Sequence, residues 1–513
     1  MSRRIAVLVV AAAAALAAVA AGAGSAAAAP SAQLGPNMVA APGGPVQLRS
    51  EWSHQPSGWS GCLAGGGNVH CYTPSDIRQA YGVDQLPEMG EGQTIVLVDS
   101  YGSPQAAQEL QAFHDAFFPS LPDPSFDQVF PLGNPQLENG NPNANGKSGP
   151  GAAAGWASEA ALDVQWSYAI APKAHIVLLA VPPAETLGVQ GFPNLFEAID
   201  QAIDTYPAGT VFSMSLAATE QTFGGAAAAQ TARFDQVFQK GIAKSDSFFG
   251  ASGDNGTANQ SKQQKDTRIY PFPTAEWPSS SPYVTSVGGT QLQFGWTWSP
   301  QSDVPFNADG SLDSAYFNSA NAPGTSTTTN VVWDESWLPA ATGGGPSVLY
   351  ALPSWQSSLE PVIGGDDRGL PDLSWNAAVN GGVLVDLQSF LPADQQGFYV
   401  IGGTSAATPQ VAALTALANE RREALAKAPL GNVGPRLYSL GAGAFTDVVP
   451  VHQGAAGVIS GDLDSNQMFL DNGNGNAVTL GSVPGWPTLP GWDLTTGLGT
   501  PWAPGYVAAL AAS

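Results

Sequence analysis

The sequence predicts an α/β fold with a mostly parallel central sheet and helices on both faces. Short apolar runs alternate with helical patterns between residues 92 and 292. These runs read as fully buried strands, which indicates that helices cover both faces of the sheet. A chain of 513 residues that is 43% hydrophobic can bury the core that such a fold needs. Polar residues that follow the strands should gather at the carboxyl edge of the sheet, where this class places its chemistry.

The predicted elements follow one another from residue 72. A helix opens in "YTPSDIRQAYGV" with Ser75 as its N-cap, and residues 300–345 are expected to be loops. The strands are "GQTIVLVDS", "AHIVLLAV", "GTVFSMSL", "SFFGASGDNG" and "YVTSVGGTQL", and the helices are "SPQAAQELQAFHDAF", Ala157–Ile170, "NLFEAIDQAIDTY" and "TARFDQVFQKGIAKS". No repeat or linker interrupts residues 72–513, so we expect one large domain.

Residues 1–29 are expected to be an export signal. Arg3 and Arg4 precede the apolar run Ile5–Ala21, and small residues then lead to a cleavage site near Ala29. An N-terminal membrane anchor is the alternative. No later run of 18 apolar residues follows, so the mature protein is expected to be secreted and free of the membrane. We also expect a monomer.

The segment 30–71 is rich in proline, glycine and serine, and it predicts a poorly ordered leader. The two cysteines of the chain, Cys62 and Cys71, lie at the end of this leader. In an exported protein such a pair is expected to form a disulfide, and a metal-binding or redox pair is the alternative.

The charge balance excludes one class of partner. The net charge is −24 at pH 7 with only 17 lysine and arginine residues, so nucleic acids and anionic membranes are poor partners. The same shortage of cations limits positive self-repulsion in acid and indicates tolerance of low pH. Solubility alone would also explain an acidic secreted protein.

The predicted helix Ala157–Ile170 carries two acids on one face. Glu159 and Asp163 are four residues apart, and the same face continues to Trp166 and Ile170 without any lysine or arginine. A solvated acidic face would be expected to carry basic partners, so we expect both carboxyl groups to be at least partly buried. Adjacent buried carboxyl groups cannot easily both ionise, and such a pair can accept and pass on a proton. A wet acidic surface is the alternative.

Ser405 follows two glycines and a threonine in "FYVIGGTSAATPQVAAL", where an apolar strand is expected to turn into an apolar helix. Glycines let the backbone approach a substrate closely, and the helix N-terminus would lie near the hydroxyl. This setting is typical of a nucleophile, although "GGTS" is also a common loop string.

Asp254 is the third carboxyl group of interest. It follows a buried run in "FFGASGDNGT" and lies in a glycine-flanked turn near the carboxyl edge of the predicted sheet. From the residues alone, an ordinary turn-forming aspartate is the favoured interpretation.

Taken together, these segments resemble the sedolisins, the serine-carboxyl peptidases with a subtilisin-like fold. The string "GGTSAATPQVAAL" also fits subtilisins, but those need a histidine in an "HGTH" setting that this sequence lacks. Here the helix before "IAPKAHIVLLAV" carries Glu159 and Asp163 in the sedolisin E-x-x-x-D arrangement. The motifs "YTPSDIRQAYGV", "SMSLAATE", "ASGDNG", "FPTAEWPSSSPYVTSVGGT", "GGGPSVLYALPSWQ", "RGLPDLS", "FTDVV" and "GWDLTTGLGTP" fall in family order over residues 72–513.

The resemblance implies a role for each acid. Ser405 would be the nucleophile and Glu159 its general base, with Asp163 hydrogen-bonded to Glu159. Asp254 would stabilise the oxyanion, and Asp99 would extend the carboxylate network. Because a carboxylate can still accept a proton in acid where a histidine cannot, hydrolysis is expected to peak at roughly pH 3–5.

The resemblance also implies a Ca²⁺ site in the C-terminal loop region. Its ligands would be the side chains of Asp447 and Asp493 and the backbone carbonyls of Val448, Leu489 and Gly491. Hard oxygen ligands of this kind suit calcium. Leu489 stands where the family commonly has glycine, and without the resemblance both aspartates would read as turn residues.

The expected function is therefore a secreted, acid-acting serine-carboxyl endopeptidase with proteins or peptides as substrates. Three alternatives stay open: a tripeptidyl-peptidase, a catalytically silent peptide- or surface-binding relative, and, least favoured, a glycosidase using Glu159 and Asp163. One helical turn is a poor separation for two carboxyl groups that must flank a glycosidic bond. The sequence departs from the family in lacking a full pro-domain after residue 29 and in having Leu216 where tryptophan is common.

Overall fold

The computed structural model describes residues 39–40, 70–134, 150–181, 189, 191–259, 270–294, 296–297, 320–321, 328–335, 340–441, 443–450, 463–467, 469–471, 477–479 and 483–513. The strands are β1 Val39–Ala40, β2 Cys71–Tyr72, β3 Thr94–Ser100, β4 Phe126–Val129, β5 His175–Val181, β6 Val211–Met214, β7 Ala218–Thr219, β8 Ser247–Ala251, β9 Glu276–Trp277, β10 Thr285–Phe294, β11 Trp296–Thr297, β12 Ala320–Asn321, β13 Thr328–Val332, β14 Asp334–Glu335, β15 Ala340–Ala341, β16 Gly345–Ala351, β17 Asp367–Leu370, β18 Leu373–Asn376, β19 Gly382–Leu387, β20 Gly397–Gly402, β21 Phe445–Thr446, β22 Phe469–Asp471, β23 Ala477–Thr479 and β24 Thr500–Pro501.

The α-helices are α1 Pro74–Ala80, α2 Ala106–Phe117, α3 Pro150–Ile170, α4 Phe192–Thr205, α5 Ala227–Ala243, α6 Glu360–Ile363, α7 Thr404–Ala424, α8 Gly434–Leu437 and α9 Ala503–Ala512. Short 3₁₀ segments cover Val83–Gln85, Glu220–Ala226 and Ser354–Leu359. In the part of the chain that the structure describes, no helix is both long and apolar enough to cross a membrane.

Within the described residues the main sheet has eight strands, in the order β13-β10-β8-β6-β3-β5-β4 with β18 also paired to β10. Every pairing is parallel except that of β10 with β13 at one edge. The predicted α/β fold with a mostly parallel sheet is therefore confirmed.

Alternate side chains of the central strand β3 point into two separate cores. Ile95 and Leu97 pack in the core that includes residues of α3 and α7, whereas Val96 and Val98 pack with residues of α4 and α5. All seven residues of β3 are buried. This is the helix-covered parallel sheet that uninterrupted apolar strands predict.

Three local predictions were wrong. The N-cap of α1 is Thr73 and not Ser75, because Thr73 and Asp76 cap each other reciprocally at the helix start. Helix α3 begins at Pro150, seven residues before the predicted Ala157, since a Gly/Ala-rich stretch carries little amphipathic signal. Part of the predicted loop 300–345 forms β13, which pairs with β10.

The predicted disulfide lies partly outside the described residues. Cys71 is fully buried in β2, which pairs with β19, and Cys62 falls in a range that the structure does not describe. The expected signal and leader also lie outside the described residues, apart from Val39, Ala40, His70 and Cys71.

Candidate active site

Ser405 is the second residue of α7, and one residue, Gly403, separates this helix from β20. Gly403 adopts a φ of +106°, which side chains rarely tolerate, and a Cβ on Gly402 would lie 2.4 Å from the Ala377 carbonyl oxygen. Both glycines are therefore required by the backbone path that delivers the serine. Strand β20 belongs to a small second sheet, β1-β20-β19-β2, and not to the main sheet.

Glu159 and Asp163 lie one turn apart in α3, which packs against α7. Both side chains are 0% exposed, so the predicted burial of the pair is confirmed. The helix is buried on every side here: Trp166 donates to the Leu384 carbonyl oxygen (2.9 Å), and Gln165 donates to that of Asp386 (2.9 Å). These bonds fix α3 against β19 and hold the acids in place.

Ser215, just beyond the end of β6, links the acids to the nucleophile. Its hydroxyl donates to Asp163 Oδ1 (2.8 Å) and lies 3.5 Å from the backbone carbonyl oxygen of Ser405. The Ser405 hydroxyl is close enough to Glu159 to lower the pKa of its carboxyl group. The Ser405 Oγ does not, however, have the geometry of a hydrogen bond with any described residue. We read the two groups as adjacent but not yet aligned, as is common before substrate binds.

The pKa of Glu159 is raised well above its usual value. Burial is the largest cause, followed by the negative charges of Asp163 and Asp99; the Ser405 hydroxyl opposes the rise and the charge of Asp254 adds to it. Burial and then Asp99 raise the pKa of Asp163, and the bond from Ser215 lowers it. A first negative charge in this cluster therefore makes each further ionisation harder.

Asp99 lies in β3, one residue before its end, and is fully buried. Burial raises the pKa of its carboxyl group to about 8. Because its charge acts on both Glu159 and Asp163, the structure brings Asp99 into the predicted acidic cluster.

Asp254 lies in the loop after β8 and reaches the residue next to Ser405. Its Oδ1 accepts hydrogen bonds from the Thr404 backbone N–H and hydroxyl, both at 2.8 Å. Burial raises the pKa of Asp254 to about 7, against the lowering effect of Thr404. The favoured interpretation of an ordinary turn residue fails, because the side chain is anchored across the molecule beside the serine.

Thr404 and Ser215 bind two of the acids and were not predicted from the sequence. Thr404 positions Asp254, and Ser215 positions Asp163. Each neighbours a motif that was recognised, "GGTS" and "SMSL", but small hydroxyl residues carry no distinctive signal. Only the fold brings their partners within reach.

The C-terminal loop gathers the residues that the resemblance assigned to calcium. Asp447 Oδ2 accepts a bond from the Gly491 N–H (2.8 Å), and Asp493 Oδ2 accepts one from the Leu489 N–H (2.8 Å). Asp493 Oδ1 accepts four further bonds from Thr495 and Thr496. Within the described residues no group of three His, Cys, Asp or Glu side chains could hold a metal. The oxygen-only set fits a hard cation, provided that backbone carbonyls supply the remaining ligands.

A helix-covered parallel sheet and a serine beside buried carboxyl groups define a subtilisin-like fold with a serine–carboxylate site. The Peptidase_S8 family model, described as subtilase family, matches residues 142–430. The chain belongs to the subtilase family.

The relatives place it near the sedolisins. Kumamolisin of Bacillus sp. (strain MN-32) is 28% identical over 440 residues, which are 84% of this chain and 62% of that protein. Sedolisin of Pseudomonas sp. (strain 101) is 32% identical over 220 residues, 43% of this chain and 31% of that protein. Tripeptidyl-peptidase 1 of Canis lupus familiaris is 28% identical over 288 residues, 54% of this chain and 39% of that protein. The predicted resemblance is confirmed, although the chain spans less than two thirds of these relatives.

A solved structure supports the fold. Pseudomonas sedolisin, complexed with two molecules of pseudo-iodotyrostatin, aligns with a TM-score of 0.59 at 22% identity and covers 87% of this chain and 100% of that one.

Proposed function

We propose that this protein is a secreted serine-carboxyl peptidase that hydrolyses peptide bonds in acid. One observation carries the proposal: a fully buried glutamate–aspartate pair whose Glu159 adjoins the Ser405 hydroxyl. Among the described residues, no lysine or arginine contributes to the pKa values of Glu159, Asp163, Asp99 or Asp254. Without a cation nearby, these four carboxyl groups can lower their mutual repulsion only by keeping protons.

The reaction follows from these positions. Ser405 Oγ attacks the peptide carbonyl carbon while its proton passes to Glu159, and Asp163 and Asp99 share the charge balance of that base. The carbonyl π electrons move to oxygen, where a protonated Asp254 donates a hydrogen bond to the oxyanion. Glu159 then returns the proton to the departing amine, and the C–N bond breaks. Water repeats these steps on the acyl-Ser405 ester and releases the acid product.

The pH dependence has a definite sign. Asp254 has a pKa of about 7, so it holds its proton in acid and loses it as the pH rises towards neutrality. An ionised Asp254 would repel the oxyanion, and activity should then fall. At the acid side, the cluster must keep one ionised carboxylate to accept the serine proton. Because burial raises the pKa of Glu159, the acid limb should lie above the ordinary carboxyl range, and we expect the maximum at the upper end of the roughly pH 3–5 range or just above it.

Digestion of a peptide library across pH tests the proposal, with Ser405→Ala and Glu159→Ala as variants. The expected result is acid hydrolysis by the wild type, a fluorophosphonate adduct on Ser405, and activity lower by about 10⁴-fold or more in Ser405→Ala. A wild type that binds peptides without cleaving them or labelling at Ser405 would instead favour the silent, peptide-binding alternative.

Endopeptidase and tripeptidyl-peptidase action are distinguished by the same digest. Several relatives carry the name tripeptidyl-peptidase. We propose endopeptidase action for this chain. Peptides with a blocked N-terminus should then be cut internally, whereas release of N-terminal tripeptides alone would assign the other activity.

We further propose that the C-terminal loop binds one Ca²⁺ ion. Asp447 and Asp493 would supply side-chain oxygens, and Val448, Leu489 and Gly491 would supply carbonyl oxygens. When bound, the ion would hold the loop against β24 and α9. Chelation should lower the melting temperature of the wild type and change it less in Asp447→Asn; equal melting curves with and without chelator would contradict the site.

A further inference from the structure

Pro409 lies inside helix α7, four residues after Ser405, and the proposed mechanism does not use it. In an α-helix the N–H of each residue donates to the carbonyl oxygen four residues earlier, so the regular donor to the Ser405 carbonyl would be residue 409. Proline has no N–H, and its ring also crowds that carbonyl. The helical turn that carries the nucleophile therefore lacks one regular bond, and the Ser405 carbonyl oxygen can accept a bond from another group.

The Ser215 hydroxyl is a donor that faces this carbonyl. Ser215 lies just beyond β6, which packs against α7. Its Oγ is 2.8 Å from Asp163 Oδ1 and 3.5 Å from the Ser405 carbonyl oxygen. A serine hydroxyl has one hydrogen, so a strong bond to one acceptor excludes a strong bond to the other. The two distances show that the hydrogen is given to Asp163 in this structure, because 3.5 Å is the outer limit of a hydrogen bond.

The protonation state of Asp163 decides between these two acceptors. An ionised carboxylate has only acceptor oxygens, and it holds the hydroxyl of Ser215 through a charge-assisted bond. A proton on Asp163 Oδ1 makes that oxygen a donor to Ser215 Oγ, and the Ser215 hydrogen is then free to turn to the Ser405 carbonyl. A proton on Oδ2 would lack such an acceptor, since Oδ2 has no hydrogen-bond partner among the described residues. Asp163, Ser215 and Ser405 are each 0% exposed, so bulk water does not compete for these bonds.

We propose that Pro409 is a positioning residue that keeps the Ser405 carbonyl available as a second acceptor for the Ser215 hydroxyl. Ser215 then couples the charge of Asp163 to the helical turn of the nucleophile. When Asp163 takes up a proton, the hydroxyl turns to the Ser405 carbonyl and supplies the bond that the proline withholds. Nothing is transferred to the carbonyl, because Ser215 keeps its own hydrogen and only rotates about its Cβ–Oγ bond. The inference rests on the proposed peptidase function and adds a positioning role to it.

The charges around Asp163 give this coupling a definite sign. Asp99 of β3 acts on both Asp163 and Glu159, Asp254 from the loop after β8 acts on Glu159, and no cation among the described residues contributes. The bond to the Ser405 carbonyl stabilises the arrangement in which Asp163 holds a proton. Without that bond Asp163 should ionise at lower pH. Its negative charge raises the pKa of Glu159, so the base would become available only at higher pH.

Pro409→Ala tests the coupling. Alanine supplies the missing N–H to the Ser405 carbonyl and is the best helix former, so α7 should fold as before. We expect the acid limb of the kcat/KM profile to move to higher pH by about 0.5 unit. The rate at which a fluorophosphonate labels Ser405 should show the same movement. Pro409→Ser supplies the same N–H and should act in the same direction.

Two further variants isolate the role of the hydroxyl. In a Ser215→Ala background the donor is absent, so adding Pro409→Ala should cause no further movement of the acid limb. Pro504→Ala is the matched control, because Pro504 lies in the first turn of α9, where an N–H has no partner within the helix. Its acid limb should coincide with that of the wild type. The melting temperature of each variant confirms that it is folded.

The possible failures are distinguishable. An acid limb that stays in place or moves to lower pH in Pro409→Ala overturns the role of Pro409 and leaves the peptidase intact. The same holds for a movement that persists without the Ser215 hydroxyl, and for a loss of activity that is equal at every pH, which would assign the proline a merely structural role. A wild type that neither hydrolyses peptides nor is labelled on Ser405 overturns the peptidase and with it the inference.

Discussion

Two buried polar clusters in this molecule differ in whether a cation is paired with their carboxyl groups. Asp372 forms an ion pair with Arg368 (Nη2–Oδ2 2.8 Å), and both side chains are at most 1% exposed. Asp372 also accepts bonds from the Ser286 N–H (2.8 Å) and the Tyr438 hydroxyl (2.7 Å), while Arg368 donates to the carbonyls of Ser280 and Val284. In the Glu159–Asp163–Asp99 cluster, no cation contributes to the pKa values and several carboxyl oxygens have no aligned bond among the described residues.

This difference distinguishes a carboxylate that stabilises the fold from carboxyl groups that can exchange a proton. A buried carboxylate that is paired with a buried cation ties segments together, here residues 279–286 to β17 and the residues after it. A buried carboxyl group without a cation must hold its proton or share it with a neighbour, which raises its pKa. Only the second kind can exchange a proton with a nucleophile at working pH.

Glu159→Gln tests the role of the cluster that has no cation among the described residues. The amide keeps the shape but cannot accept the serine proton, so kcat should fall by about 10²–10⁴-fold. Folding should not suffer, because the change removes a charge that burial opposes. We would measure kcat in acid and the melting temperature at acid and neutral pH. Near-normal turnover, or a melting temperature well below that of the wild type, would contradict the assignment.

The opposite result is expected in the paired cluster. Arg368→Met leaves the Asp372 charge buried without its partner and should cost about 3–5 kcal/mol of unfolding free energy. The double variant Arg368→Met with Asp372→Asn should recover part of this loss, because it neutralises the orphaned charge and keeps an acceptor for Ser286. Denaturant unfolding gives both values. A single variant as stable as the wild type would show that the pair is not needed for folding.

The two clusters were not equally visible in the sequence. The stacking of Glu159 and Asp163 and their burial could be predicted, since two helical turns of sequence contain both acids, Trp166 and no cation. Asp254 could not be assigned from its residues, because its partner Thr404 lies 150 positions away. Ser215 is a single common residue, and only the fold brings it to its partner Asp163, 52 positions away. Arg368 and Asp372 stand four apart in sequence, but the carbonyl groups that surround them belong to another segment.

The raised pKa values also predict the direction of stability with pH. The folded-state pKa is about 8 for Asp99 and about 7 for Asp254, against about 4 in the unfolded chain. Between these values the unfolded state binds fewer protons, so the free energy of unfolding falls as the pH rises. Each group contributes a slope of about 1.4 kcal/mol per pH unit in this window.

Unfolding measured from about pH 4 to 8 should therefore show the highest stability at the acid end. Asp99→Asn should flatten the curve, because one ionisation is removed from the folded cluster. Stability that rises towards neutral pH, or a slope unchanged in Asp99→Asn, would mean that burial does not hold this proton.

The weakest predicted effect is that of the hydrogen bond from Ser215 to Asp163. The hydrogen bond from Ser215 to Asp163 Oδ1 lowers the pKa of Asp163 in the folded protein. Ser215→Ala removes this bond and should raise that pKa. Asp163 should then hold its proton to a higher pH, so that its negative charge no longer raises the pKa of Glu159. The acid limb of the pH–rate profile should move to lower pH, and the weaker base should lower kcat by about tenfold. Ser213→Ala is the matched control, since Ser213 is equally buried and its Oγ makes no aligned hydrogen bond among the described residues. Ser215→Thr keeps a hydroxyl and should restore the profile. A merely structural role for Ser215 would lower activity at every pH without moving the acid limb, and that outcome would separate the charge balance of the cluster from its packing.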